Sequence, residues 1–98
     1  KACIRIVDKW KNISFDKLHW SDTGSASWYD FSIEITKQLI AQKLIMENKE
    51  IKPIYSNKIK SKVSRPNFSI LDCSQTYDIL GIWPEHWSIE LDHVICLL

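Results

Sequence analysis

The residues best placed to do chemistry in this chain are a basic run and the rigid turn that closes it. Lys58, Lys60, Lys62 and Arg65 follow one another with no acid anywhere between Glu50 and Asp72, and Pro66 comes directly after the arginine. Proline fixes its own φ and pushes the residue before it out of helical backbone, so the guanidinium is carried on an extended segment. A lysine run ordinarily marks a solvated loop. A merely soluble loop has no need of an arginine locked beside a proline, whose planar fork makes paired hydrogen bonds to a phosphate where lysine offers only a point charge. Arg65 is therefore the first candidate for an anion clamp, with Ser64 and Asn67 as neutral donors next to it. The turn from Thr23 to Ser27 together with the ring of Trp28 is the candidate wall of the same cleft, although such a tryptophan more often anchors a core and Ser27 more often caps a helix.

Composition sets bounds on what these residues can serve. At 98 residues the chain is one domain, too small to hold both a nucleotide-cofactor domain and a substrate domain. Its hydrophobic share of 45% and charged share of 26% are those of an ordinary soluble globule, and five tryptophans offer large anchors for burial. A net charge of +1 argues against general nucleic-acid binding, which needs a strong positive field. There is no apolar run long enough for a membrane span and no signal-peptide pattern, so a cytoplasmic location is expected. Cys3, Cys73 and Cys96 are odd in number and widely spaced, which predicts buried structural thiols in a reducing compartment. The first residues already read as helix and carry no initiator methionine, so a fragment of a larger protein is expected.

The elements that must position the candidate residues follow from periodicity. Residues 2–10 predict a helix with Ile4, Val7 and Trp10 inward, stopping at Asn12. Residues 15–20 alternate and predict a strand that feeds the turn at Asp22, Thr23 and Gly24. Ser27 and Asp30 have the spacing of a capping box, and the helix they open is expected to run to about Met46 and end by Asn48 and Lys49. Its inward stripe is Trp28, Phe31, Ile35 and Leu39, widened by Ile33, Ile40 and Leu44. Residues 51–55 predict a short strand that Pro53 confines to an edge, and Phe68, Ile70 and Leu71 a second buried one. Ser74 reads as a helix N-cap and Gly81 as its left-handed stop. Pro84 suits the first turn of a last helix with Trp87, Leu91, Val94, Ile95 and Leu98 inward. The expected fold class is α/β: a small mixed domain of about four helices and three short strands.

Several chemistries are excluded by what is missing from the sequence. Gly24 and Gly81 are the only glycines, so there is no Gly-rich phosphate loop of either the dinucleotide or the P-loop kind. His86, Glu90 and His93 could share a helix face, but they lack a fourth ligand nearby and predict a polar helix surface rather than a metal site. No serine lies in a nucleophile elbow and no cysteine has a nucleophile's signature. Catalytic, metal and cofactor residues are thus expected to be absent from this chain.

Three motifs, taken in order, carry a resemblance. Ser-Ala-Ser-Trp-Tyr-Asp-Phe at 25–31 is followed by Ser64, Arg65, Pro66, Asn67, Ser69, Leu71, Asp72, Cys73 and Ser74, and then by Leu80, Gly81, Ile82, Pro84 and Trp87. This pattern resembles the carboxy-terminal part of the dTDP-4-dehydrorhamnose reductase family, in the extended short-chain dehydrogenase/reductase group. Lys17, Leu18, His19, Trp20 and Ser21 fall where that family has a Tyr-His-Leu strand before its glycine turn. The likeness covers the chain from about Ile4 onward.

What the resemblance implies is the substrate-binding lobe, residues 1–98, of an NADPH-dependent enzyme that reduces dTDP-4-dehydro-L-rhamnose to dTDP-L-rhamnose for surface polysaccharide. NADPH and a Tyr-x-x-x-Lys pair would belong to an amino-terminal Rossmann domain. None of Tyr29, Tyr55 and Tyr77 has a lysine four positions on, so the lobe alone is expected to be inactive. Its partners would be a dTDP-sugar and the missing Rossmann domain, with a homodimer left open. Two alternatives also stay open. One is a non-catalytic relative of the same fold, similar to the regulatory beta subunit of methionine adenosyltransferase. The other is a freestanding module that grips a phosphorylated partner through the basic loop.

Overall fold

The computed structural model describes every residue except Phe15 and Asn48, so the first position of the expected 15–20 strand and one expected helix end lie outside the described residues. Four α-helices form: α1 (Ala2–Lys9), α2 (Trp28–Ala41), α3 (Ser74–Leu80) and α4 (Trp87–Ile95), with single 3₁₀ turns at Trp10–Asn12 and Ser56–Lys58. They pack as two pairs, α1 on α3 and α2 on α4.

The expected mixed α/β architecture is overturned. Among the described residues there is no sheet; the one bridge is a parallel contact between Thr23 and His86. A strand exists only where another strand satisfies its N–H and C=O groups, and the segments at 51–55 and 68–71 find no such partner. Every residue from 52 to 72 is exposed, and its backbone hydrogen bonds join only near neighbours around the Ser56–Lys58 turn. Phe68, expected to be buried in a strand, is 78% exposed.

Local signals place the helix ends, and two of them move. At the start of α2, Ser27 Oγ accepts from the Asp30 N–H at 3.1 Å while the Ser27 N–H donates to Asp30 Oδ2 at 2.9 Å, a complete capping box. The far end comes at Ala41, earlier than expected. Lys43 takes a left-handed φ of 57° and its N–H donates to Ile40 O, while the Leu44 N–H donates to Leu39 O. That is a Schellman closure with lysine in the position glycine usually fills. Ser74 is the first residue of α3 rather than its cap, and Asp72 Oδ1 accepts from both its N–H and its Oγ–H. Gly81 closes α3 at φ 64° as expected. Pro84 lies ahead of α4 instead of within it, because the Trp87 N–H donates to Thr23 O and His86 Nδ1 accepts the Ser88 N–H as the cap.

The inward faces also differ from the periodic reading. In α1 it is Ile6 and Lys9 that turn toward α3, with Lys9 Nζ donating to Ile79 O at 3.4 Å near the negative end of that helix. Ile4, Val7 and Trp10 are left about two-thirds exposed. Between α2 and α4 the contact is stitched by amides: Gln38 Nε2 donates to Glu34 Oε1 and to Ser88 O, and Gln42 Nε2 to Cys96 Sγ. Ile35 and Leu39 are half-buried, whereas Trp28, Phe31, Ile33, Ile40 and Leu44 remain exposed, as do Val94 and Leu98 of the last helix's expected face. Of the three thiols only Cys73 is buried; Cys3 and Cys96 are exposed, against expectation.

Little of this surface is covered by the chain itself. The buried apolar residues among those described are Cys73, Leu80 and Ile95. The exposed area is 8787 Å², where a compact protein of this mass would show about 5,800 Å². The radius of gyration, 17.4 Å, likewise exceeds the roughly 13 Å of a closed domain this long.

Candidate functional site

A shallow, open concavity of about 310 Å³ lies where the loop at 21–28 meets the start of α4, lined by Ser21, Asp22, Gly24, Trp28, Phe31 and Trp87, together with small neighbours. Two helices from distant parts of the chain hold it in shape. From α3, Tyr77 Oη donates to Ser21 O at 2.7 Å, its ring meets Trp20 edge-on at 5.4 Å, and Cys73 Sγ lies 3.4 Å from Ser21 Oγ. Burial pushes the Tyr77 phenol above its ordinary value, with the Cys73 thiol adding to the effect. At the start of α4, the Thr23 N–H donates to Glu85 O at 3.0 Å and the Trp87 N–H to Thr23 O at 3.1 Å.

Gly24 makes this junction possible. Its φ is +84°, and a Cβ there would lie 2.3 Å from His86 Nε2 and 3.0 Å from Trp87 Cδ1. Only glycine combines a left-handed turn with so close an approach of the two rings. Trp87 is then fixed on both sides, with Phe31 at 5.8 Å and His86 at 5.4 Å between ring centroids. Its Nε1 is fully buried and has no hydrogen-bond partner among the described residues.

The four residues expected to bind ligand are not gathered in one place. Trp28 lines the cleft with its ring 75% exposed. Ser64, Arg65 and Asn67 are exposed members of the 52–72 segment and take no part in that lining. The ion pairs among the described residues are Lys37 with Glu34, Lys52 with Glu50 and His93 with Glu90, so Arg65 is engaged in none. Sequence reasoning missed Trp87, which it assigned to the core, and Asp22. The available signal was Gly24, one of two glycines in the chain, which marks a close approach without naming what approaches.

The remaining polar clusters serve the helices. His86 works as a cap and His93 pairs with Glu90 at 3.5 Å, and no group of metal-ligand residues is assembled among the described residues. The Asp30 carboxyl is held below its ordinary value, first by the Ser27 N–H and then by the Ser27 hydroxyl. No helix among the described residues is long and apolar enough to cross a membrane.

The chain belongs to the family described as RmlD substrate binding domain, which it matches over residues 1–98. It is 26% identical over 84 residues to a dTDP-4-dehydrorhamnose reductase of Aggregatibacter actinomycetemcomitans, an alignment that takes in 86% of this chain and 29% of that protein. The resemblance read from the three motifs is thereby borne out at the level of family, and the family is that of a reductase. No solved structure matches the chain.

Proposed function

We propose that residues 1–98 form the substrate lobe of an NADPH-dependent reductase acting on dTDP-4-dehydro-L-rhamnose or a close relative of that nucleotide sugar. The observation that carries this reading is the surface. An excess of about 3,000 Å² over a closed domain of equal mass is of the order that a large permanent interface takes from its partners. Ile4 and Val7 on α1 and Trp10 in the turn after it add an apolar stripe that no described residue buries. A freestanding module would leave that area exposed to water, so the surplus favours a lobe that a second domain covers.

The chain's own residues suit binding rather than chemistry. Gly24 serves a turn filled by His86, and Gly81 a helix C-cap, so neither belongs to the Gly-rich strand-to-helix turn that cradles a dinucleotide. NADPH does not fit here, and hydride donor and proton donor are assigned to the covering domain. Arg65, unpaired and braced by Pro66, would take the diphosphate through paired, charge-assisted hydrogen bonds, with Ser64 and Asn67 donating beside it. Trp28 would lie along the ring at one end of the nucleotide sugar.

Loss of a charge-assisted contact of this kind corresponds to roughly a tenfold to hundredfold change in binding. Arg65→Ala in the intact protein should therefore raise the Michaelis constant for the sugar nucleotide by that factor, and Arg65→Lys should recover part of it. Steady-state kinetics with an unchanged melting temperature would be the supporting result. An unchanged Michaelis constant would remove Arg65 from the site.

A further inference from the structure

We propose that the lysine run Lys58, Lys60 and Lys62 of one copy lies across the carboxylates of Asp22 and Glu85 of a second copy, so that the intact protein pairs as a charge-matched homodimer. Arg65 takes no part in this contact, which leaves the sugar-nucleotide reading to stand or fall by itself.

Charge is divided along the chain in blocks. Lys58, Lys60 and Lys62 stand in a stretch that holds no acid between Glu50 and Asp72, whereas no lysine or arginine follows Arg65 and Asp72, Asp78, Glu85, Glu90 and Asp92 all do. The net charge of +1 thus covers two fields of opposite sign, and it leaves little overall repulsion between copies.

The fold then gathers acids in one place and leaves the lysines in another. Where the Thr23 N–H donates to Glu85 O at 3.0 Å, Asp22 is brought against Glu85, each one position before its partner in the Thr23–His86 bridge. Both acids are exposed. No lysine or arginine occurs from Leu18 to Thr36 or from Pro66 to Leu98, so the segments that meet at this junction bring no cation of their own. Like charges side by side on paired backbones cost free energy, and an ammonium laid between them turns that cost into attraction. Lys58, Lys60 and Lys62 are exposed as well and join no ion pair among the described residues. One copy does not make the match within itself.

A second copy is the partner that uses both surfaces. Each copy offers the lysines and the acid pair, so a two-fold arrangement makes the same contact twice. A foreign acidic partner would engage the lysines alone and leave Asp22 and Glu85 unmatched. Exposed ion pairs are weak one at a time and fade with salt, which gives the pairing a signature.

The test is sedimentation velocity of the intact protein. At about 0.01 M salt the wild type should sediment as a dimer, and at about 1 M, where the screening length is about tenfold shorter, as a monomer. The triple variant Lys58→Glu, Lys60→Glu, Lys62→Glu and the double variant Asp22→Lys, Glu85→Lys should each weaken pairing about a hundredfold or more. Mixing the two variants should restore the dimer, because each then meets opposite charge on both surfaces, and such recovery separates lost pairing from lost fold. A wild type that is monomeric at low salt, a dimer indifferent to salt or to either reversal, or a mixture that stays monomeric overturns the proposal. The Michaelis constant of Arg65→Ala tests the reductase reading alone, so the two can fail separately.

Discussion

Between residues 20 and 31 nearly every turn of the chain is tied to a helix from elsewhere. Tyr77 holds Ser21, Glu85 and Trp87 hold Thr23, and His86 packs against Gly24. From Lys52 to Asp72 the reverse is true: all residues are exposed, and the hydrogen bonds that hold the backbone are local. Both regions carry motifs of the same family, and both were expected to contribute to one cleft. A recognisable motif is therefore not the same thing as a built site. The first region is organised by contacts far apart in sequence, whereas the second stands exposed, with its hydrogen bonds among the described residues made only to near neighbours.

The contrast can be broken most forcefully at Gly24. An added methyl would need the His86 ring to leave its cap on Ser88 and a non-glycine residue to hold φ +84°, so Gly24→Ala should cost about 3 kcal/mol in urea unfolding. A loss under about 0.5 kcal/mol would mean that the loop is no better braced than the basic segment. Next comes Tyr77→Phe, which removes the hydrogen bond to Ser21 O and should cost about 1 kcal/mol. Thermal unfolding with no change would show that α3 does not hold the loop.

Ser27→Ala tests the entry to α2 and should likewise cost about 1 kcal/mol. The same cap makes a pH prediction. Because Asp30 in the folded protein sits below its ordinary carboxylate value, the unfolded chain takes up this proton first as pH falls. The cap's contribution is complete at neutral pH and drains away as pH drops below about 4. Acid titration of wild type against Ser27→Ala should show the two curves converging there, and parallel curves would count against the cap.

The smallest effects belong to the other region. Phe68→Ser and Arg65→Ala should each change stability by less than about 0.5 kcal/mol, as for ordinary exposed positions. A buried strand would instead lose about 3 kcal/mol or more on Phe68 truncation. Such a loss in the intact protein would show that a second domain closes over this segment, sharpening the contrast into one between a prebuilt half and a half completed by a partner.

What the sequence alone settled about this protein lies within a turn or two of backbone, or in motif order. Ser27 and Asp30 announced the start of α2 because a capping box needs only residues three apart. Gly81 announced the end of α3 because a left-handed residue closes the last turn by itself. The order of the three motifs sufficed for the family. Tertiary structure decided everything that needs a partner. Residues 51–55 and 68–71 have strand-like composition, but among the described residues no second chain segment arrives to accept their hydrogen bonds. At α1, where Lys9 reaches the Ile79 carbonyl of α3, Ile6 is turned inward while Ile4, Val7 and the following Trp10 stay outside. Trp87 became a cleft residue only because Thr23 and Gly24, more than sixty positions earlier, close against it. Local propensity acts through neighbours in sequence, while burial and strand pairing depend on which distant surfaces meet.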